Sequence, residues 1–359
     1  MFSNLFPHAV PFPVLVALLV VVVPYVAFTA VASLSFVQAR RESGPPPPSP
    51  WPHVSVLLPS TAASSEDTAL DASEYPADRL ELLHPHPKPA ASSGDGGRSR
   101  PARADATDRK EPVADLAQAL AAADGEILVT VPNGGSQSAA GICSMASRCT
   151  PETPVVVGPT IIEHDDRFVP RLHALQHLGR LAVTAGVMRA GRPTLPDDTN
   201  CAFHVETVRS PSKPAPTQAS LAFNPDPDAA VSRLPAQSFG ELFHRQSRWF
   251  RRAWTRSGVV QGQAVGLWLL HTLFLICSLV AVAVPAWRQP TLLALVGKMG
   301  ADVVLTLPAA KHYGQRPLLR SIVPSELALL GTIPLAGVWA LLDPNDASEP
   351  SARSASRNE

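Results

Sequence analysis

Residues 113–131 read VADLAQALAAADGEILVTV, and the fold turns on them. The first half is almost entirely Ala and Leu, strong helix formers, and predicts a helix over Val113–Ala123. Asp124-Gly125-Glu126 interrupts it. Ile127–Val131 is then a short β-branched and apolar run closed by Pro132, the pattern of a buried strand. A helix that feeds straight into a buried strand is half of a strand–helix–strand unit. Repetition of that alternation gives a parallel sheet with helices on its faces.

The neighbouring segments continue the alternation. Upstream, Val54–Leu58 (VSVLL) is a strand ended by Pro59, Ala69–Tyr75 predicts a helix, and Leu80–Leu83 a second strand. Between them and the central stretch, 84–112 is rich in Pro, Gly, Ser, Arg and Asp. That composition buries too little apolar surface to order itself and predicts a flexible loop. Downstream, Val155–Val157 predicts a strand and Pro170–Ala190 a long helix. An α/β domain is therefore expected over 51–234.

Both flanks of that domain are apolar. Val10–Phe36 carries no charge and exceeds the roughly 20 residues a spanning helix needs. Met1–Ala9 has no Lys or Arg and the apolar core is longer than a signal peptide's, so a retained anchor over 10–36 is expected. A Pro-rich linker, 37–50, follows it. Three further spans are predicted within 264–342: Ala264–Ala286, Thr291–Ala310 and Ile322–Leu342. The second of these contains Lys298 and Asp302, four apart and so able to pair on one helix face. Residues 235–257 interleave aromatic and basic side chains and predict an amphipathic helix at the membrane surface. A disordered tail is expected over 343–359. Arg40 and Arg41, then Arg251, Arg252 and Arg256, then Lys311, Arg316 and Arg320 all call for one side of the bilayer. The positive-inside rule makes that side the cytoplasm, giving a multi-pass cell-membrane protein with a cytoplasmic domain and both termini outside.

Charge and cysteines exclude other classes. Thirty basic and thirty acidic side chains leave no surplus to neutralise phosphates, which argues against nucleic acid as a partner. Cys143, Cys149, Cys201 and Cys277 lack the paired spacing of a zinc site.

Five segments in collinear order carry a resemblance: WPHVSVLLP (51–59), YPADRLELL (75–83), ADLAQALAAADGEILVTV (114–131), LAVTAGVMRAGRPTLPDDTNCAFHVETV (181–208) and FNPDPDAAVSRLPAQSFGELFHRQSRW (223–249). Together they resemble the membrane-bound family 2 glycosyltransferases, the group that includes chitin, cellulose and hyaluronan synthases. The resemblance implies a Rossmann-like domain of the GT-A type with one N-terminal and about three C-terminal transmembrane helices. It implies a nucleotide-sugar donor and, for an active enzyme, Mg or Mn to take up the charge of the departing diphosphate.

The same resemblance shows what is missing. The family places Asp-x-Asp after the Gly-Glu strand, where this chain has Val131, Pro132, Asn133 and Gly134. It places acids after the second strand, where this chain has His84, Pro85, His86, Pro87 and Lys88. Its early Asn-Glu is replaced by Ser60, Thr61, Ala62 and Ala63, with Glu66 and Asp67 a few positions late. Its catalytic base would lie between Val208 and Leu221, a stretch without any acid. The implied candidates are therefore weak. Asp197 and Asp198 are the catalytic candidates, although they precede Asn200 instead of following it and also read as a solvated turn after Pro196. Arg245, Gln246, Arg248 and Trp249 are the substrate-binding candidates. Arg248-Trp249 matches the family's last motif, but Arg245 stands where Gln is expected and Gln246 is displaced by one. No metal site and no cofactor is expected unless the protein is active. The expectation is a glycosyltransferase-like protein of envelope or polysaccharide assembly that lacks metal-dependent transfer, partnered by the bilayer and by assembly proteins. The alternatives are an active enzyme with relocated carboxylates, and a non-catalytic scaffold or remnant.

Overall fold

The computed structural model describes residues 12–41, 51–58, 70–71, 75–83, 112–132, 135–191, 200–210, 221–255 and 258–342. The expected loop up to residue 111, the linker beyond Arg41, the tail, and Glu66, Asp67, Asp197 and Asp198 lie outside them. In chain order the elements begin with α1 (Phe12–Arg41), β1 (Val54–Leu57), β2 (Leu70–Asp71), β3 (Leu80–Leu83), α2 (Pro112–Ala122), β4 (Ile127–Thr130), β5 (Gln137–Ser138), α3 (Ala139–Arg148), β6 (Val155–Val157), β7 (Thr160–Ile162) and α4 (Phe168–Arg189). They continue with β8 (Cys201–His204), α5 (Val205–Arg209), β9 (Leu221–Phe223), β10 (Val231–Arg233), α6 (Phe239–Trp254), α7 (Val259–Ala283), α8 (Arg288–His312) and α9 (Ile322–Leu342). The chain divides into two compact units, Gly44–Thr160 with Asp198–Arg233, and Met1–Ser43 with Ile161–Asp197 and Leu234–Glu359.

The first unit is mixed α/β. Its main sheet has the order β3-β1-β4-β8-β6-β9, and every pairing is parallel except the two made by β8. The expected central strand, β4, is buried on both faces, as parallel strands covered by helices are. Alternate residues explain the layering. Val54, Val56, Ile127 and Val129 face Ile142 and Met145 of α3, whereas Leu128 packs with Ala119 of α2, with Ala123 just past it and with Val205 of α5. Gly125, the middle of the Asp-Gly-Glu interruption, lets the helix-to-strand turn lie on β1. A Cβ there would fall 2.7 Å from the Ser55 backbone nitrogen, while its own N–H donates to Ser55 Oγ at 3.0 Å. One expectation fails here. Within the helix predicted over Ala69–Tyr75, Leu70 and Asp71 form β2 and pair in parallel with Gln137 and Ser138 of β5. Cross-strand pairing overrides the local Ala/Leu preference, which is a weak prior.

The second unit is helical. Four helices are long and apolar enough to cross a membrane, with spans at Val22–Arg41, Val259–Ala283, Pro285–His312 and Arg316–Leu342. These are the four expected segments with shifted ends: the first helix runs on to Arg41, five residues beyond the predicted Phe36. Helix α4 groups with them. Ser33 Oγ on α1 donates to the Val304 carbonyl on α8 at 2.8 Å, and Phe36 meets the His312 ring edge-on at 5.9 Å. Trp268 on α7 donates its indole N–H to the Pro334 carbonyl on α9 at 3.1 Å.

Small residues set the closest helix approach, as in membrane bundles generally. At Gly186 on α4, an added Cβ would lie 2.6 Å from the Ala32 carbonyl oxygen and 2.8 Å from its Cα, both backbone atoms of α1 that cannot swing aside. Gly186→Ala is expected to cost about 1–3 kcal/mol through overpacking. Gly262→Ala, where nothing lies within 4 Å of the new carbon, should be tolerated. Thermal unfolding of the two variants in detergent checks the contrast.

Candidate functional site

Register puts one edge of the α/β sheet in a line. Leu83, Leu57, Thr130, Cys201, Val157 and Phe223 are successive partners across the six strands. The parallel strands end there, and β1 is flanked by β3 on one side and β4 on the other, which marks the point where chain order reverses. In open α/β sheets ligands bind outside the carboxyl ends of strands at such a point. The residues just past β1 and β4 are Leu58, Val131 and Pro132, all buried and none acidic. The rest of the expected crevice, 59–63 and 133–134, is outside the described residues.

Further along the edge, the rim is made of amides. Asn200, just before β8, is fully buried and donates through Nδ2 to the Pro159 carbonyl at 2.7 Å and the Ala229 carbonyl at 3.0 Å. Gly158 makes room for it, since a Cβ at 158 would sit 2.5 Å from that nitrogen. Asn224, just past β9, donates to the Ser144 carbonyl at 3.1 Å and accepts from the Asp226 N–H at 3.1 Å. Asp226 Oδ2 in turn accepts from Ser144 Oγ at 2.6 Å, and its Oδ1 accepts from the Asp228 N–H at 3.1 Å. The Asp226 carboxylate is therefore occupied with holding the turn, while Asp228 is exposed. Asn200 Oδ1 and both polar atoms of the Gln137 side chain are buried with no hydrogen-bond partner among the described residues.

This rim offers neutral donors and acceptors. Divalent Mg or Mn prefers clustered oxygen ligands with carboxylate charge. Among the described residues no group of three His, Cys, Asp or Glu is placed to hold a metal ion. Burial pushes the Cys149 and Cys201 thiols up to about 12 and raises that of Cys143, which keeps all three in the protonated form. Asp226 and Asp228 were not singled out from the sequence. Their signal was legible as Asp-Pro-Asp, with Pro227 opening a short helical turn four residues after β9 ends.

The substrate-binding candidates all lie on α6 of the helical unit, and its geometry separates them. Gln246 points inward, buried, and donates to Gln176 of α4 at 3.0 Å. Trp249 is half-buried against the apolar side of the helix, at 5.0 Å from the Phe250 ring. Arg245 is tied one turn back to Glu241 at 2.6 Å. Burial pulls the Glu241 carboxyl up, but the Gln237 N–H and the Arg245 guanidinium outweigh it and hold it below the usual range. The contribution of this pair is thus present above the ordinary carboxylate range and fades as pH falls through the lowered value. Arg248 is exposed and shares a face with Arg245. The apolar side of α6, Leu242, Phe250 and Ala253, packs on Leu329, Ile333, Ala336 and Ala340 of α9 and on Val260 and Ala264 of α7, so protein covers it.

No family model matches the chain, and no curated protein matches it. Among solved structures, a mannosyltransferase, PcManGT from Pyrobaculum calidifontis in complex with GDP-Man and Mn2+, is similar over 86% of this chain and 99% of its own. The identity is 16% and the TM-score 0.45.

The amide network is testable by itself. Asn200→Ala would leave the Pro159 and Ala229 carbonyls without this donor in a buried place, each worth about 1–3 kcal/mol when unsatisfied. A clearly lowered midpoint in urea is expected for Asn200→Ala, and little change for Asp228→Asn at the exposed end of the same turn.

Proposed function

We propose that this is a multi-pass membrane protein with a family 2 glycosyltransferase-like domain of the GT-A, Rossmann-like type, which does not transfer sugar by a metal-dependent route. It acts in envelope or polysaccharide assembly as a partner or scaffold. The observation that carries this reading is the end of β4, where Val131 and Pro132 are buried and apolar at the place where the resemblance calls for an acid pair. The collinear resemblance of five segments and the parallel-rich sheet with its reversal at β1 support the fold. Weak nucleotide affinity survives through Arg245 and Arg248, whose guanidinium groups suit a diphosphate.

A positioned general base typically contributes about 10²–10⁴-fold in rate, and a metal adds several kcal/mol of charge stabilisation. Without either, turnover is expected to fall below detection. The check is nucleotide release from a panel of nucleotide-sugars by detergent-purified protein with Mn or Mg. A second reading, an active enzyme with relocated carboxylates, is favoured by exposed Asp228 beside the rim. Metal-dependent release that is lost in Asp197→Ala with Asp198→Ala, or in Asp228→Ala, would establish that reading and end the first.

The proposed topology puts the α/β domain in the cytoplasm and the C-terminus outside. A reporter fused after Glu359 should be externally accessible. A cytoplasmic reporter would mean that one late helix does not cross.

A further inference from the structure

Lys298 lies near the middle of α8 and is only 1% exposed. Its Nζ donates to Asp302 Oδ2 at 2.8 Å on the same helix and to Glu326 Oε2 on α9. The Tyr25 hydroxyl, near the middle of α1, donates to Asp302 Oδ1, and the Lys298 ammonium stands 5.8 Å from the centre of the Tyr25 ring. His271, near the middle of α7, is 2% exposed and carries the next titratable ring; its Nδ1 contacts the Leu267 carbonyl and its Nε2 has no partner among the described residues. Among the described residues, the ionisable groups that act on Tyr25, Lys298, Glu326 and His271 are drawn from these five.

The charges do not balance. One ammonium meets two carboxylates, so the fully ionised cluster carries an excess negative charge. It does so among helices apolar enough to cross a membrane, where an uncompensated charge is costly and usually marks an ion or proton site. The compensating charge must enter from outside. A metal cation would have to lie beside an ammonium that already stands between the carboxylates, against like-charge repulsion, and it would seek about six oxygen ligands. A proton needs one oxygen and adds no volume.

We propose that the Tyr25–Lys298–Asp302–Glu326 cluster is a proton-binding site that holds one exchangeable proton on Glu326. Asp302 accepts from both the phenol and the ammonium, so its two oxygens are already held and the proton rests on the other carboxyl. Bound proton leaves α1, α8 and α9 joined by a neutral network. Loss of the proton to water leaves a buried negative charge between α8 and α9. The site thereby couples the packing of these helices to proton availability.

The test is infrared spectroscopy of the full chain in lipid nanodiscs. A protonated-carboxyl C=O band is expected at neutral pH, shifting on exchange into heavy water. Labelling glutamate carboxyls with carbon-13 in the unaltered protein should move that band, whereas labelling aspartate should not. Glu326→Gln should abolish it. So should Asp302→Asn, because a single carboxylate then balances Lys298 and needs no proton. A cluster with no protonated-carboxyl band, a band that moves only with aspartate label, or a band that persists in Asp302→Asn would overturn the proposal. So would a melting temperature that rises with sodium or potassium over choline at fixed pH.

Discussion

A buried ammonium must be met by carboxylates, and Lys298 imposes that requirement on the helical unit. Asp302 satisfies it within α8, but Glu326 has to come from α9, and Asp302 then draws the Tyr25 hydroxyl from α1. Apolar contacts between membrane helices are weakly selective, because lipid tails compete equally well for the same surface. Polar contacts such as these, together with Ser33 on the Val304 carbonyl and Trp268 on the Pro334 carbonyl, fix which faces meet. Close packing completes the arrangement where glycine allows it, at Gly186 against α1 and at Gly337 beside Trp268.

The α/β unit solves the same problem with amides. Along its strand ends, Asn200 and Asn224 hold loop carbonyls together and Asp226 closes the turn after β9. Those contacts make a stable rim. They also engage the Asp226 carboxylate, which accepts from Ser144 and from the Asp228 N–H. Rate enhancement in diphosphate-leaving chemistry depends on charge placed where charge develops. Neutral amides give hydrogen bonds to a ligand without neutralising its charge.

Much of this was legible in the sequence. Strands over Val54–Leu58 and Ile127–Val131 and the four apolar helices were readable from uninterrupted β-branched or apolar runs, whose physics is local. The pairing of Lys298 with Asp302 followed from helical spacing alone. What escaped notice depended on contacts distant in sequence. Glu326 and Tyr25 complete the buried cluster from helices 24 and 277 residues from Asp302, and no spacing rule reaches so far. Leu70 and Asp71 become a strand only because β5 stands beside them. Gln246 has the right neighbours in sequence for a binding motif, yet the helix turns it inward to Gln176, while Arg248 faces outward. Asp226 and Asp228 were passed over because they follow a short strand in a proline-rich stretch, where acids usually mark solvated turns.

We propose that nucleotide recognition in this protein does not depend on a divalent metal. Calorimetric titration of the purified protein with nucleoside diphosphates, carried out with Mn and again with a chelator, tests that most directly. The same weak affinity is expected in both, falling with added salt as binding by arginine side chains does. Affinity that tightens strongly with Mn and is insensitive to Arg245→Ala and Arg248→Ala would contradict it.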